Sequence, residues 1–299
     1  MTPSLFTVQP VKAGGATIQP DVLASIQQAS AITGVDFSYL MAQASRESSF
    51  DPTAKASTSS ATGLYQFVEQ TWLGVFKDHA AQYGYGELAA KIAKHADGHY
   101  SVGDAATRKQ ILDLRRDPAL NAEMAAELAA DNKTKMEAAL GHPVTATDLR
   151  LAHFLGLSGA LRFIRKLDAD PNTTGAAMFP RAAASNQSVF YDAKGNALTV
   201  GQIYAVMNSS MNSDQAAFAS LSTTPTGPAP TAVASAASTA SSTLQGFSNP
   251  GSILSPLMLV TIAALPIARE EEQNNSPRHG AIHTHLASDI NPMAALGVG

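Results

Sequence analysis

The sequence predicts a mainly α-helical domain over residues 20–215, followed by segments without regular structure. Apolar residues recur at helix spacing through most of that range, and several stretches carry recognisable helix start and stop residues. The sequence shows no alternation of strands and helices of the kind that a parallel sheet requires. Beyond about residue 215 it becomes rich in Ala, Ser, Thr and Pro, a composition that buries too little apolar surface to offset its ordering entropy.

Composition excludes several classes of function. The chain has 299 residues, a net charge of −4 and no cysteine. This charge gives no basic face for nucleic acid, so no nucleic-acid partner is expected. The lack of cysteine excludes disulfides, thiolate zinc sites and cysteine nucleophiles. His279, His283 and His285 cluster without acidic ligands at zinc-like spacing, so no metal and no other cofactor is expected.

The first 65 residues are predicted to hold two helices and a loop. Residues 1–19 are expected to form an irregular lead-in, and apolar periodicity predicts helices over 21–33 and 36–47. Pro52 cannot continue the second helix. Residues 53–65 are rich in Ser, Thr and Ala and are predicted to form a loop.

Two of the later helices have identifiable start signals. Asp117 can cap a helix whose first position is Pro118, and Thr199 with Gln202 fits a capping box. Residues 185–198 are expected to form a short hairpin or an ordered loop. The later helices are predicted over 69–83, 87–96, 104–115, 118–140, 147–155, 158–168 and 199–212.

The C-terminal region is predicted to contain a flexible linker over 216–252, an apolar segment over 253–268 and a disordered tail over 269–299. The apolar segment is shorter than the about 20 residues that a membrane-spanning helix needs, and Pro256 and Pro266 interrupt it. Docking to a partner or lying at a membrane interface is therefore favoured over a membrane span.

Glu47 is the candidate acid because it lies where an apolar helix meets a loop of small polar residues. Desolvation at such a junction raises the pKa of a carboxyl group, so that it can hold a proton near neutral pH and then donate it. On spacing alone, an exposed glutamate paired with Arg46 is the simpler interpretation.

The residues around Glu47 form a longer pattern that favours the catalytic interpretation. They occur in the order Glu47-Ser48, Phe50-Asp51-Pro52, Ala54, Ser57 and Gly63-Leu64-Tyr65-Gln66. This order and spacing resemble the catalytic segment of soluble lytic transglycosylases and goose-type lysozymes, although many members have Met at the position of Tyr65. The resemblance covers residues 22–83 and implies a lysozyme-like helical catalytic domain that acts on peptidoglycan.

A third family motif is altered. Its counterpart is Ala152-His153-Phe154-Leu155-Gly156, which resembles a variant of alphaproteobacterial and phage members. His153 stands where the family usually has tyrosine, and it is either a substrate-binding residue or a cleft-wall histidine without catalytic work. By the same resemblance, the tyrosine that hydrogen-bonds Glu47 is Tyr191 or Tyr204.

The resemblance also implies roles for residues near Glu47. Ser48 would orient the glutamate or the substrate's acetamido group, Gln66 would hydrogen-bond substrate, and Tyr65 would line a sugar cleft. For Trp72, the only tryptophan, a place in the core is favoured. Two nearby acids have simpler interpretations: Asp51 is expected to shape a turn and Glu69 to begin a helix.

The implied reaction is non-hydrolytic cleavage of the glycan strand, in which Glu47 acts first as acid and then as base and a 1,6-anhydro sugar is formed. Two alternatives are a muramidase that uses water, and an inactive wall-binding factor of a flagellar, pilus or secretion machine, to which the segment over 253–268 would attach. Such functions belong to the periplasm or cell envelope. The N-terminal residues show no signal-peptide pattern, so a specialised secretion channel, another start site and release by lysis remain open export routes.

Overall fold

The computed structural model describes residues 9–222, and these residues are mainly α-helical. Two antiparallel hairpins are formed by β1 (Val11–Ala13) with β2 (Ala16–Ile18), and by β3 (Ile92–Lys94) with β4 (Tyr100–Val102). The helices are α1 (Pro20–Thr33), α2 (Phe37–Ser48), α3 (Glu69–His79), α4 (Gly86–Ala89), α5 (Ala105–Asp113), α6 (Pro118–Leu140), α7 (Ala146–Ala169), α8 (Gly175–Met178), α9 (Pro180–Ser185), α10 (Gln187–Phe190) and α11 (Val200–Phe218). Short 3₁₀ turns follow α3, α5 and α11 over 80–83, 114–116 and 219–221.

The long helices surround the core. Helix α6 packs along α1 and α7, while α11 packs across α2 and α7. Trp72 is fully buried, and its indole Nε1 donates to the Ile111 carbonyl oxygen at 2.8 Å, as the core interpretation expected. The catalytic-helix candidate α2 is therefore held between the first and last long helices of the domain.

The predicted helix starts agree with the structure. The Asp117 carboxylate accepts from the Leu120 amide at 2.9 Å, and Pro118 is the first residue of α6. Thr199 and Gln202 form the reciprocal capping box that opens α11. The predicted gap between 155 and 158 is a kink inside α7 at Gly156, whose φ of 72° and ψ of 164° suit glycine alone.

Two hairpins were not predicted. The lead-in over 1–19 was expected to be irregular, but β1 and β2 pair across Gly14 and Gly15, both with positive φ, as a tight hairpin turn requires. The predicted helix over 87–96 is only the short α4, because the chain then enters β3 and turns at Asp97-Gly98 into β4. An Asp-Gly pair favours this kind of turn.

The last part of the described chain also differs from prediction in detail. Within 185–198 the chain forms the short helix α10 and then a turn around Gly195, closed by the pairing of Tyr191 with Ala197. Helix α11 continues past 215 to Phe218, which is buried against Phe50. The predicted apolar segment and tail, and all but the first residues of the predicted linker, lie outside the described residues. Within 9–222, no helix combines the length and apolarity that crossing a membrane demands.

Candidate active site

Glu47 lies in the last turn of α2 and is almost completely buried, with 1% of its surface exposed. Neither carboxylate oxygen has a hydrogen-bond donor within the described part of the chain. A buried carboxyl group without donors is costly to keep charged, so the interior around it must compensate. The alternative of an exposed glutamate paired with Arg46 is wrong, because Arg46 instead pairs with Asp214 and donates to Ser210.

The backbone after Glu47 is unusual. Ser49 and Phe50 both have left-handed φ angles, 52° and 66°, which few non-glycine residues adopt. They turn the chain sharply at the end of α2, and the Asp51 carboxylate then accepts from the Thr53 amide at 2.8 Å. The expectation that Asp51 shapes a turn agrees with this contact. The strained turn directs the following loop back across the end of α2.

Gly63 and Gln66 hold the loop that faces this turn. The Gln66 side-chain nitrogen donates to the carbonyl oxygens of Ala54 at 3.0 Å and Gly63 at 2.9 Å, and the Gly63 amide donates to Ala54 at 2.8 Å. Gln66 also has a left-handed φ of 48°. The side-chain nitrogen of Gln66 is thus bound to the loop, while the side-chain oxygen Oε1 has no hydrogen bond within residues 9–222.

Ser48 joins α2 to the same loop. Its hydroxyl is 2.8 Å from the Leu64 carbonyl oxygen and 3.2 Å from that of Ala44. A hydroxyl has one proton to donate, so Ser48 does not also donate to Glu47 in this arrangement. Ser48 and Gln66 therefore lie beside the end of α2, and their described hydrogen bonds fix the backbone there.

Tyr65 lies in the core and not on a cleft wall. It is 4% exposed, and its hydroxyl donates to the Leu40 carbonyl oxygen at 3.1 Å. Its amide donates to the Asn121 side chain at 2.9 Å, which ties the loop to α6. The prediction that Tyr65 contacts sugar is corrected on this point, because both ends of the residue are already bound inside the protein.

His153 contacts the carboxylate of Glu47. Its Nε2 lies 3.1 Å from Glu47 Oε1, within ion-pairing distance but without the alignment of a hydrogen bond. The imidazole projects from α7 before the Gly156 kink and keeps 28% of its side-chain surface exposed. One partner of the contact is therefore buried and the other reaches solvent, so His153 marks the side of Glu47 from which a substrate can approach.

The two tyrosines predicted to support Glu47 lie elsewhere. The Tyr204 hydroxyl donates to the Asp148 carboxylate at 3.0 Å and contacts Thr145 at 3.2 Å, at the start of α7. Tyr191 pairs with Ala197 in the turn after α10. No described contact joins either tyrosine to Glu47, so the structure does not bring these two predicted site residues to the glutamate.

Tyr39 and Arg150 are two buried residues near Glu47 that the sequence analysis did not identify. Tyr39 lies two turns before Glu47 on the same face of α2, with Gln43 between them, and this i, i+4, i+8 spacing was a signal for it. Burial raises the pKa of the Tyr39 hydroxyl, Arg150 lowers it, and the Glu47 carboxylate raises it. Arg150 reaches the same region from α7, and no local pattern in the sequence indicated that this arginine is buried.

The predicted start of α3 at Glu69 is confirmed, and the Glu69 carboxylate pairs with Arg108 on the surface. Among residues 9–222, no group of three His, Asp or Glu side chains is placed so that it could hold a metal ion.

Residues 24–86 match the family model of the transglycosylase SLT domain. The match includes Glu47 and the loop from Gly63 to Gln66, and it ends before α6, α7 and α11. The part of the site contributed by His153 and Arg150 therefore lies outside the matched residues.

Proposed function

We propose that this chain, whose residues 24–86 match the transglycosylase SLT domain, cleaves the β-1,4 bond after N-acetylmuramic acid in peptidoglycan without using water. The match to the SLT domain supports a peptidoglycan enzyme of the lytic transglycosylase type. The observation that carries the finer proposal is the burial of Glu47 beside the partly exposed imidazole of His153.

The proposed reaction uses one carboxyl group twice. Protonated Glu47 gives its proton to the glycosidic oxygen, the bond from C1 to that oxygen breaks, and the 4-hydroxyl of the next sugar leaves. The 2-acetamido group of the muramic acid stabilises the cation at C1. The ionised carboxylate of Glu47 then takes the proton of the C6 hydroxyl while the oxygen of that hydroxyl bonds to C1. This step gives the 1,6-anhydro product and restores the acid.

A single acid distinguishes this scheme from the paired carboxylates of most glycosidases. The Asp51 carboxylate is bound to the Thr53 amide and Glu69 is paired with Arg108, so each has a structural partner of its own. In the proposal Glu47 therefore performs both proton transfers. A buried acid also limits the access of water, which would otherwise capture the cation at C1.

His153 and Gln66 are the proposed substrate-binding residues. The exposed part of the His153 ring can contact the sugar while its Nε2 stays beside Glu47. The free Oε1 of Gln66 is an acceptor for a substrate hydroxyl or amide, since the nitrogen of the same group is already bound to the loop. Ser48 would assist by fixing the loop through the Leu64 carbonyl oxygen.

Digestion of purified peptidoglycan tests the proposal. The intact protein should release muropeptides that end in anhydro-muramic acid, identified by a mass lower by one water than that of the hydrolysed products. Glu47→Gln should lose this activity. Glu87→Gln makes the same chemical change on the exposed helix α4 and should keep it. Reducing-end products would identify a muramidase, and equal products from the wild type and Glu47→Gln would refute the role of Glu47.

Peptidoglycan as substrate places the proposed action in the periplasm or cell envelope. A second partner, a wall-spanning machine held through residues 253–268, stays a prediction because that segment lies outside the described residues. A deletion of 253–268 would test it: the enzyme should keep its activity on purified peptidoglycan while losing its location at the machine.

A further inference from the structure

Arg150 is a charged side chain in the interior of the domain. It is 1% exposed, and its Nε and Nη1 atoms have no hydrogen-bond acceptor within the described residues. Burial and, to a smaller degree, the nearby Arg46 lower the pKa of the guanidinium to about 10, while Asp214, Glu47 and Tyr39 oppose that shift. Arg150 therefore remains a cation at neutral pH, and a buried cation is retained only where something compensates for its lost hydration.

Among the groups that act on Arg150, the carboxylate of Glu47 is the one without a cation of its own to balance. Helix α2 contributes Tyr39, Arg46 and Glu47, and helix α11 contributes Asp214. Asp214 is already paired with Arg46. Tyr39 stays neutral because burial raises its pKa. Among these groups, the two arginines and Asp214 carry a net positive charge, which is cancelled when Glu47 loses its proton.

We propose that Arg150 is a positioning residue for the reaction, one that stabilises the carboxylate of Glu47 at the moment when its proton has passed to the glycosidic oxygen. The inference rests on the proposed function of Glu47. Arg150 does not form a direct ion pair with Glu47 and is too deeply buried to touch a sugar, so it acts through the acid. An opposite charge near a carboxyl group favours its ionised form, which makes it a stronger acid.

His153 has a different place in this arrangement. It contacts Glu47 Oε1 from the solvent side of α7, whereas Arg150 lies one turn earlier on the same helix and inside the protein. A guanidinium keeps its positive charge at neutral pH. Arg150 therefore supplies a field that is constant across the working pH range.

The test compares Arg150→Met, which removes the charge at similar length, with Arg150→Lys, which keeps it. Arg165→Met on the exposed face of the same helix is the matched control. In Arg150→Met, kcat should fall about tenfold or more and KM should change less than about twofold. The pH at which activity falls on the alkaline side should rise by about one unit or more, because a carboxylate is less stable once a nearby cation is removed.

Arg150→Lys should keep the alkaline limb within about half a pH unit of the wild type. Arg165→Met should leave the whole profile unchanged. A uniform loss of activity in Arg150→Met with no movement of the limb, or an equal movement in the control, would overturn the proposal. If Arg150→Met does not fold, an alkaline limb in Arg150→Lys that moves by a full unit overturns it instead.

A second measurement is independent of catalysis. Urea unfolding of Arg150→Met, Glu47→Gln and the double variant, above neutral pH, gives the coupling between the two side chains. The unfolding equilibrium constants should show a favourable coupling of about fivefold or more, and no coupling would overturn the inference. If the wild type proves inactive on peptidoglycan, the proposed function fails while this coupling still decides whether Arg150 stabilises the Glu47 carboxylate.

Discussion

Replacement of Gly63 by alanine should distort the loop that faces Glu47. A Cβ atom at this position would lie 1.9 Å from the Arg115 carbonyl oxygen and 2.7 Å from the Asn121 side-chain nitrogen. Both neighbours are fixed, since the Asn121 side-chain nitrogen donates to the Arg115 carbonyl oxygen at 2.7 Å. The φ of Gly63 is +90°, which L residues rarely adopt.

The expected cost of Gly63→Ala follows from these two effects. The backbone conformation alone costs about 1–2 kcal/mol for a residue with a side chain. The clash with immobile backbone adds about 1–3 kcal/mol more. The sum is about 2–5 kcal/mol, which for a domain of this size lowers the melting temperature by at least about 4 °C.

Gly34→Ala is the matched control. Gly34 ends α1 with a similar φ of +73°, but a Cβ there would meet nothing within 4 Å. Gly34→Ala should lower the free energy of unfolding by only the conformational cost of about 1–2 kcal/mol. The assays are urea unfolding and thermal melting of both variants, with digestion of peptidoglycan alongside.

Activity should separate the two variants further. The Gly63 carbonyl oxygen accepts from Gln66, and the next residue, Leu64, accepts from Ser48. A shift at Gly63 should therefore reduce activity at temperatures where the protein is still folded, whereas Gly34→Ala should not. Equal losses of stability in the two variants would refute the steric reasoning, and full activity of folded Gly63→Ala would refute the importance of the loop.

Three further predictions concern separate parts of the domain. Burial and, to a smaller degree, the neighbouring carboxylates raise the pKa of Glu123 to about 7. The folded protein therefore binds the Glu123 proton more tightly than the unfolded chain does. This contribution to stability is complete below about pH 4.5 and is lost as the pH rises through about 7. Glu123→Gln should therefore stabilise the protein above that range by at most about 1–2 kcal/mol after solvent screening, and urea titrations at acid and alkaline pH should show the gain only at the latter. Tyr204→Phe removes a hydrogen bond to Asp148 and should cost about 1–2 kcal/mol of stability with unchanged kcat in a peptidoglycan assay; a large loss of kcat would restore Tyr204 to the site. Ser49→Gly relieves a left-handed φ of 52° at an exposed position and should raise the unfolding free energy by about 1 kcal/mol, and a loss of stability in thermal melts would contradict the strain assigned there.

The sequence was most informative where local chemistry determines structure. The start of α6 at Asp117 and Pro118 and the capping box at Thr199 were predictable because a cap uses only residues within one turn. The loop at Gly63 and the junction after Glu47 were also indicated by short motifs. The short hairpin around Gly14 was missed, although paired glycines between short apolar runs are a known hairpin signal.

The rest of the site depended on contacts between distant segments. Tyr65 looks like an ordinary cleft aromatic in sequence, and only the position of the Leu40 carbonyl oxygen makes it a core residue. Tyr204 was one of two tyrosines predicted to support Glu47, but the packing of α11 on α7 brings its hydroxyl to Asp148. Arg150 has neighbours from two other helices, so its burial follows from tertiary packing that spacing along one helix does not encode.

The pairing of Arg46 with Asp214 joins residues 168 positions apart. Helix α2 is complete early in synthesis, but its pairing to α11 must wait until almost the whole domain has left the ribosome. During that interval Arg46 lacks its counter-charge, and the interior around Glu47 is still open to water. The surroundings of Glu47 are thus completed last, when the final helix docks, and a chain truncated before α11 should be unstable and, under the proposed function, inactive on peptidoglycan.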